Sequence, residues 1–313
     1  MKTMQPSDWD ESKVRFPCIV QPKIDGVRGH TPEGVLLGRS MKQHRNAYAT
    51  AFFSTPDYIH MDGELAAEHE CHPDLCRITS SALSRADGQP FLLLWAFDYL
   101  APTAIQMRYK DRLRVLENRI VWLQQHGCGM HLRMIPWVLC ENMEQLQFQR
   151  ARNLDLGYEG SIIRDPNGMH KQGRSTVKEM GVLRIKDFID FEFRITGVTE
   201  GQTNLNEATI NERGHTERST HQVNMLPNGL IGTIEGVALA DVLDPQTKAV
   251  LIKQGQAVTV AAGRMTHIDR QYYFDIPEEL IGEIAKAQFF PKGIKDKPRF
   301  PTFQSLRSPE DMG

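Results

Sequence analysis

The sequence predicts an α+β protein in two parts, a mixed domain over residues 1–188 and a smaller strand-built barrel over residues 189–313. Three features predict it. The first part alternates short apolar runs of strand length with two longer stretches of helical period. After Lys186 the composition shifts to several short strand-like runs separated by glycine turns, with no repeating helices between them. The 313 residues are also enough for one large and one small core.

Taken in order, residues 14–20 read as a short buried strand that delivers Lys23 to its C-terminal end. Residues 35–39 are the next predicted strand, and 58–65 a strand broken by Asp62-Gly63. Residues 71–88 carry Arg77, Ser80, Ser81, Ser84 and Arg85 and read as a polar surface loop. Residues 91–100 form an apolar strand ending Ala96-Phe97-Asp98-Tyr99. Leu113, Leu116, Ile120 and Leu123 place a helix over 105–125; a strand over 132–140 and a helix over 141–156, stopped by Gly157, follow. In 183–186, Leu-Arg-Ile-Lys alternates apolar and basic, so Arg184 and Lys186 share one face of a strand. Further strands are expected at 190–198, 229–239, 256–262 and 272–276, with a polar insert over 201–228.

The net charge of −2 rules out a polycation, so any nucleic-acid binding must come from locally sorted charge. Five scattered cysteines, an odd number, give no disulfide framework and fit a reducing cytoplasm. The polar first 13 residues carry no apolar signal core and the longest apolar run, 91–97, is too short to cross a bilayer; neither secretion nor membrane insertion is expected. His69, Cys71, His72 and Cys76 have metal-like spacing but no second cluster to complete a structural zinc site, so a polar loop is the expectation. The tail from 286 to 307 holds Lys292, Lys295, Lys297 and Arg299 against Asp296 and is the chain's clearest basic stretch.

The chemistry concentrates at Gln21-Pro22-Lys23-Ile24-Asp25-Gly26-Val27-Arg28. A lysine amine attacks an electrophile only when neutral, and a guanidinium grips phosphate. This K-x-D-G-x-R run resembles the nucleotidyl-acceptor motif of the covalent nucleotidyltransferases: DNA ligases, RNA ligases and mRNA capping enzymes. Further motifs follow in order. Arg39-Ser40 stands at the second phosphate-contacting position, and Asp62-Gly63-Glu64-Leu65 resembles the third motif, with Glu64 placed 41 residues after Lys23. Phe97-Asp98 matches the aromatic-Asp pair whose ring stacks on the base; Glu159-Gly160 through Arg164 matches E-G-x-x-x-R; and Arg184 and Lys186 match the triphosphate-holding pair, usually two lysines. Lys178 is a candidate substitute for position 184. Arg299-Phe300-Pro301-Thr302-Phe303 is similar to the run before the last ligase motif, whose R-x-D-K is absent, leaving Arg299 or Arg307 to orient pyrophosphate.

The set resembles an ATP-dependent DNA ligase of the small bacteriophage type. The resemblance implies an adenylation domain of antiparallel sheets with flanking helices, followed by a small OB-fold β-barrel. It implies ATP, held as lysyl-AMP, and Mg²⁺ as cofactors and nicked duplex DNA as partner, with a monomeric chain. In this reading Lys23, Asp25, Arg28 and Lys186 are catalytic, and Gln21, Lys23, Arg28, Arg39, Glu64, Phe97, Glu159, Arg184 and Lys186 bind the nucleotide. Glu64 and Glu159 hold metal or ribose, and Arg77, Arg85, Lys292, Lys295 and Arg299 contact DNA. Gln21 stands where many ligases have a glutamate facing the adenine amino group; its amide oxygen can accept the same hydrogen bond. With 22 residues ahead of Lys23, no nicotinamide-binding domain is expected and ATP is favoured over NAD. The alternatives are an RNA ligase or capping guanylyltransferase, or a non-catalytic nucleic-acid-binding relative.

Overall fold

A computed structural model describes residues 2–210, 216–245, 248–291 and 298–307. These fall into two compact units, one spanning Met1–Lys186 and one beginning at Asp187. In the first unit a five-stranded sheet is built from β1 (Ser7–Asp8), β2 (Cys18–Lys23), β7 (Val138–Cys140), β8 (Gly160–Arg164) and β9 (Leu183–Lys186), in the order β1-β9-β8-β2-β7. A four-stranded sheet runs in order through β3 (Val27–His30), β4 (Met61–Ala66), β5 (Leu93–Tyr99) and β6 (Leu132–Met134).

Each sheet is hydrophobic on one face and covered by helices. α1 (Ala47–Phe53) and α3 (Tyr109–Gln125) bury Phe53, Leu113, Leu116, Ile120 and Leu123 against Leu65, Leu94 and Ala96 of the four-stranded sheet. α4 (Met143–Asp155) packs on β2 and β8, where Leu146 meets Cys18, Val20 and Ile163. Its N-terminus is capped by Asn142, whose side chain accepts from the Gln145 N–H at 3.0 Å. A smaller cluster joins Ala66 of β4 to Leu75 and to Ile24, Ile135 and Tyr158, which flank strands of the two sheets.

The second unit is a closed five-stranded barrel of β10 (Ile189–Asn204), β11 (Met225–Ala238), β12 (Ala257–Ala261), β13 (Ile284–Phe290) and β14 (Arg299–Leu306), in the order β10-β11-β12-β14-β13. Alternate residues such as Phe191, Phe193 and Ile195 fill its interior. α5 (His267–Asp275) packs against β11. β10 and β11 stay paired from the barrel out to Asn204 and Met225, so the polar insert begins as a long two-stranded ribbon.

Several expectations are corrected. Residues 35–39 are not a strand; Leu37 makes an isolated bridge to His30, and a turn follows. The predicted loop over 71–88 contains α2 (Leu75–Ser84), which buries Leu75, Thr79 and Leu83. Residues 132–140 form two strands in different sheets, parted around Pro136. Residues 272–276 are mostly helical, because Thr266 and Asp269 form a reciprocal cap that starts α5. Among the described residues no helix is long and apolar enough to cross a membrane.

Candidate active site

Lys23 ends β2, directly opposite Gly160 of β8. The Glu159 backbone N–H donates to the Lys23 carbonyl at 3.0 Å, holding the two residues side by side. Gly160 is required there, since a Cβ would lie 2.2 Å from the Ile185 carbonyl oxygen. Likewise a Cβ on Gly26 would lie 2.4 Å from the Leu65 oxygen. Both glycines thus serve close approach between strands of this domain.

The Lys23 ammonium donates to Glu159 Oε2, and the Lys186 ammonium donates to Oε1 of the same carboxylate. Two lysines thus share one buried acid. Burial works to lower the Lys23 pKa, but the negative charges of Glu159, Glu64 and Asp25 more than offset it, and the net shift is upward. Lys186 shifts the other way, through burial and then repulsion by Lys23. Burial would raise Glu159, yet the two ammoniums hold it below the ordinary carboxylate range. In the absence of ligand, then, Lys23 is a proton-bearing amine tied to an ionised acid.

Arg28, on β3, faces the same region. Its Nε and NH2 donate to Asp62 Oδ1 and Oδ2 at 2.7 and 2.6 Å, and its guanidinium lies 4.7 Å from the Phe97 ring centroid. Asp62 is 2% exposed, so this is a buried bidentate pair that orients the arginine. Asp62 belongs to the quoted D-G-E-L stretch but was given no role from sequence; its partner is set by the pairing of β3 with β4, where Arg28 lies opposite Glu64 and His30 opposite Asp62. Glu64 is pushed up to about 7, by burial first and by the nearby Asp62 and Glu159 charges, against the opposing pull of Arg28 and Lys23.

The sharing of one face by Arg184 and Lys186 is observed: Leu183 and Ile185 are buried and the basic residues point the other way. Arg184 forms a forked pair with Asp8, at 2.6 and 3.2 Å. Arg39 follows the Leu37 bridge on an exposed turn. Its pKa is lowered by partial desolvation and then by the charges of Arg174, Arg184 and Arg28. Arg174 was missed in the sequence, lying outside every quoted motif. Cations that depress one another in this way favour an anion between them.

Gln21, two residues before Lys23, is 2% exposed. Its Oε1 lies 2.7 Å from the Tyr109 hydroxyl, which is also 2.9 Å from the Phe97 carbonyl oxygen. Behind Tyr109 sits a buried charge network. Asp98 accepts from Arg112 Nε and NH2 at 2.7 and 3.0 Å and from Arg164 NH2 at 2.9 Å. The Arg164 guanidinium lies over the Tyr109 ring at 3.5 Å. Burial opposes ionisation of Asp98, but Arg164 and Arg112 bring its pKa down to about 2. The arginine of E-G-x-x-x-R is therefore a buried structural partner of the aromatic-Asp pair.

The remaining candidates lie elsewhere. Arg77 donates to Asp74 at 2.6 Å on α2, and Arg85 is exposed at the end of that helix. Lys292 and Lys295, with Lys297 and Asp296, lie outside the described residues. Arg299 opens β14 with its guanidinium 5.7 Å from the Phe300 ring centroid. Two other basic residues of the tail are paired with acids of β10: Lys286 with Asp190 at 2.6 Å and Arg307 with Glu192 at 2.7 Å. Of the metal-like cluster, His69 and Cys71 bring ligand atoms within 4.8 Å of one another and of Glu70, which the sequence reading did not include, while His72 Nδ1 accepts from the Asp74 N–H at 3.0 Å.

The chain thus joins a mixed domain, which presents a lysine at a strand end against a shared carboxylate, to a closed five-stranded barrel. No family model matches the chain. Solved structures do. The Chlorella virus DNA ligase-adenylate is 26% identical, with 99% of each chain covered and a TM-score of 0.52. A Lig E DNA ligase, described as binding DNA with a minimal scaffold, is 16% identical over 98% of this chain and 99% of its own, with a TM-score of 0.68. Among curated proteins, a DNA ligase of African swine fever virus is 24% identical over 144 residues, 46% of this chain. The match spans about a third of that viral relative's length, 33%. In architecture the chain is similar to these DNA ligases, an adenylation-type domain joined to an OB barrel.

Proposed function

We propose that the chain seals nicks in duplex DNA at the expense of ATP. The observation that carries this is the Lys23 amine at the end of β2, sharing Glu159 with Lys186 beside the cations Arg28, Arg39 and Arg184. Lys23 Nζ attacks the α-phosphate of ATP; a P–N bond forms, the bond to the β-phosphate bridge breaks, pyrophosphate leaves and the amine loses its proton. The nucleotidyl group then passes to the 5′-phosphate of a nick, returning the amine. The 3′-hydroxyl attacks that activated phosphate, closing the strand and releasing AMP. Such phosphoryl chemistry needs in-line placement and neutralised charge.

The residues fit those needs. Arg28 is held bidentately by Asp62, so its free edge is preoriented for phosphate, and Phe97 offers a ring face beside it. Arg184 and Lys186 line one strand face for the polyphosphate, and Asp25 lies within electrostatic reach of Lys23 for later work near the 3′ end. Glu64 and Glu159 are oxygen donors that repel each other, a set suited to a hard divalent cation such as Mg²⁺. When bound, that ion would offset phosphate charge and compete with Lys23 for Glu159. The remaining acids and bases then position the nucleotide and take up the lysine proton.

The DNA grip is less localised. Among the described residues of 201–228, Arg218 is outweighed by Glu207 and Glu217, and its NH1 donates to the Asn206 carbonyl oxygen. Arg77 on α2, Arg85 just after it and the basic tail then supply phosphate contacts, with little reading of base sequence. Deleting the ribbon tip or neutralising Arg77 and Arg85 should lower the slope of nick binding against salt. An unchanged slope would remove that element from the grip.

The test of the whole reading is the protein given divalent cation and isotopically labelled ATP. One adenylyl group should attach at Lys23 and a nicked duplex should be sealed, with neither event in Lys23→Ala. Nucleotide attached elsewhere, or none at all, would overturn it.

A further inference from the structure

The loop ahead of α2 gathers three side chains of metal-ligand type that the nucleotidyl-transfer chemistry leaves unused. The His72 N–H donates to the His69 carbonyl at 2.8 Å, closing a four-residue turn, and the Cys71 N–H donates to His69 Nδ1 at 3.3 Å. The second contact draws the imidazole over the turn and requires Nδ1 to be unprotonated, the state in which it can ligate a metal. Glu70 divides its two oxygens. Oε1 accepts from the Tyr158 hydroxyl at 3.5 Å, and Oε2 faces His69 Nδ1 at 3.6 Å. Cys71 packs against the apolar cluster of Ile24, Leu75 and Tyr158, which shelters it on one side. An imidazole nitrogen, a carboxylate oxygen and a sulfur thus come within 4.8 Å of one another. His72 serves the start of α2 instead, its Nδ1 accepting from the Asp74 N–H.

We infer that His69, Glu70 and Cys71 form a binding site for a borderline-soft divalent cation of the Zn²⁺ class, with solvent completing its coordination. The donor set decides the ion. Thiolate and imidazole favour Zn²⁺ or Co²⁺ over Mg²⁺, which is hard and takes oxygen ligands. The site is therefore distinct in chemistry from the all-oxygen pair Glu64 and Glu159. Ligands about 2.0–2.3 Å from a tetrahedral ion stand roughly 3–4 Å apart. The exposed His69 ring closes the remaining gap by turning about its side-chain torsions. The Tyr158 phenol acts as the outer partner of the carboxylate, holding Oε1 and leaving Oε2 to the ion. Cys71 binds as the thiolate and gives its proton to solvent. Three protein ligands on an exposed turn make an open site, not a structural one, and α2 keeps its own buried side through Leu75, Thr79 and Leu83.

The experiment titrates the full chain with Co²⁺ in a thiol-free reductant and reads the thiolate-to-metal charge-transfer band in the near ultraviolet. The parent should bind one Co²⁺ per chain with that band. Stoichiometric Zn²⁺ should erase it, and excess Mg²⁺ should not. Cys71→Ser should abolish the band. His69→Ala and Glu70→Gln should each weaken Co²⁺ binding by about tenfold or more, at least the loss that follows removal of an outer partner. Cys128→Ser, which removes a thiol elsewhere in the domain, should titrate as the parent does. A parent without the band, a band that survives Cys71→Ser or disappears in Cys128→Ser, or parent-like affinity in either His69→Ala or Glu70→Gln overturns the inference. His69 is exposed, so that arm stands even if Cys71→Ser does not fold. The outcome is separate from nucleotide transfer, since a chain that never adenylylates Lys23 would still give the band.

Discussion

Asp98→Asn is the most informative single change to stability. The carboxylate is 1% exposed and receives three guanidinium hydrogen bonds, two from Arg112 and one from Arg164. Arg112 is itself fully buried at 0% exposure, and Arg164 is at 2%. Asparagine keeps one acceptor oxygen but removes the charge, leaving two buried guanidiniums facing each other's field. Breaking a buried pair by removing one partner costs about 3–5 kcal/mol. In a domain of this size each kcal/mol moves the melting temperature by roughly 2–4 °C, so a fall of about 6–20 °C is expected. The pH dependence gives an independent sign. The folded-state pKa of about 2 lies below the unfolded value, so the stabilisation is complete above the ordinary carboxylate range and is lost as pH falls towards 2. Thermal unfolding of parent and variant followed by circular dichroism from pH 7 down to pH 2 should show two curves that converge with acid. A variant within about 2 °C of the parent at pH 7, or a gap that widens with acid, would refute the reasoning. Adding Arg112→Met should recover part of the loss, since an uncharged side chain of similar volume removes one stranded cation.

Further expectations concern the lysine centre. Glu159→Gln removes the charge that keeps Lys23 protonated while leaving it buried, so its labelling by an amine-reactive reagent at pH 8, read by mass, should rise on the order of tenfold; no increase would mean Glu159 does not control the amine. Glu64, pushed up to about 7, should give nucleotide transfer a limb that rises as pH passes 7, and Glu64→Gln should remove it. Because that pKa is raised, the accompanying stability term runs the opposite way, present at acid pH and lost as pH climbs through 7. Gly160→Ala places a Cβ against the Ile185 oxygen and should cost about 1–3 kcal/mol or more in chemical denaturation. An unaffected midpoint would show that β8 and β9 can separate freely.

Short-range patterns were legible where one face of an element is buried. The alternation of Leu183-Arg184-Ile185-Lys186 and the spacing of Leu113, Leu116, Ile120 and Leu123 are local consequences of strand and helix geometry, and both appear as read. The order of the motifs placed Lys23, Glu64, Phe97 and Glu159 in one domain. Local reading failed where packing overrode composition. α2 is rich in serine and arginine, yet Leu75, Thr79 and Leu83 at four-residue spacing turn its buried side inward. The aromatic run Tyr272-Tyr273-Phe274 has strand character, but the Thr266–Asp269 cap, visible in the sequence, commits it to a helix.

By itself the sequence determined which residues are chemically able to act and the order in which strands and helices present them, because both follow from side-chain type and short-range period. Tertiary structure alone decided the pairings: Glu159 shared between Lys23 and Lys186, Arg28 steered by Asp62, and Asp98 joined to Arg112 and Arg164 behind Tyr109 and Gln21. Lys23 and Glu159 stand 136 positions apart, and no local rule spans that distance. Charge state depends on burial and on neighbours in space, so whether the Lys23 amine carries its proton is settled only when β2 meets β8 and β8 meets β9.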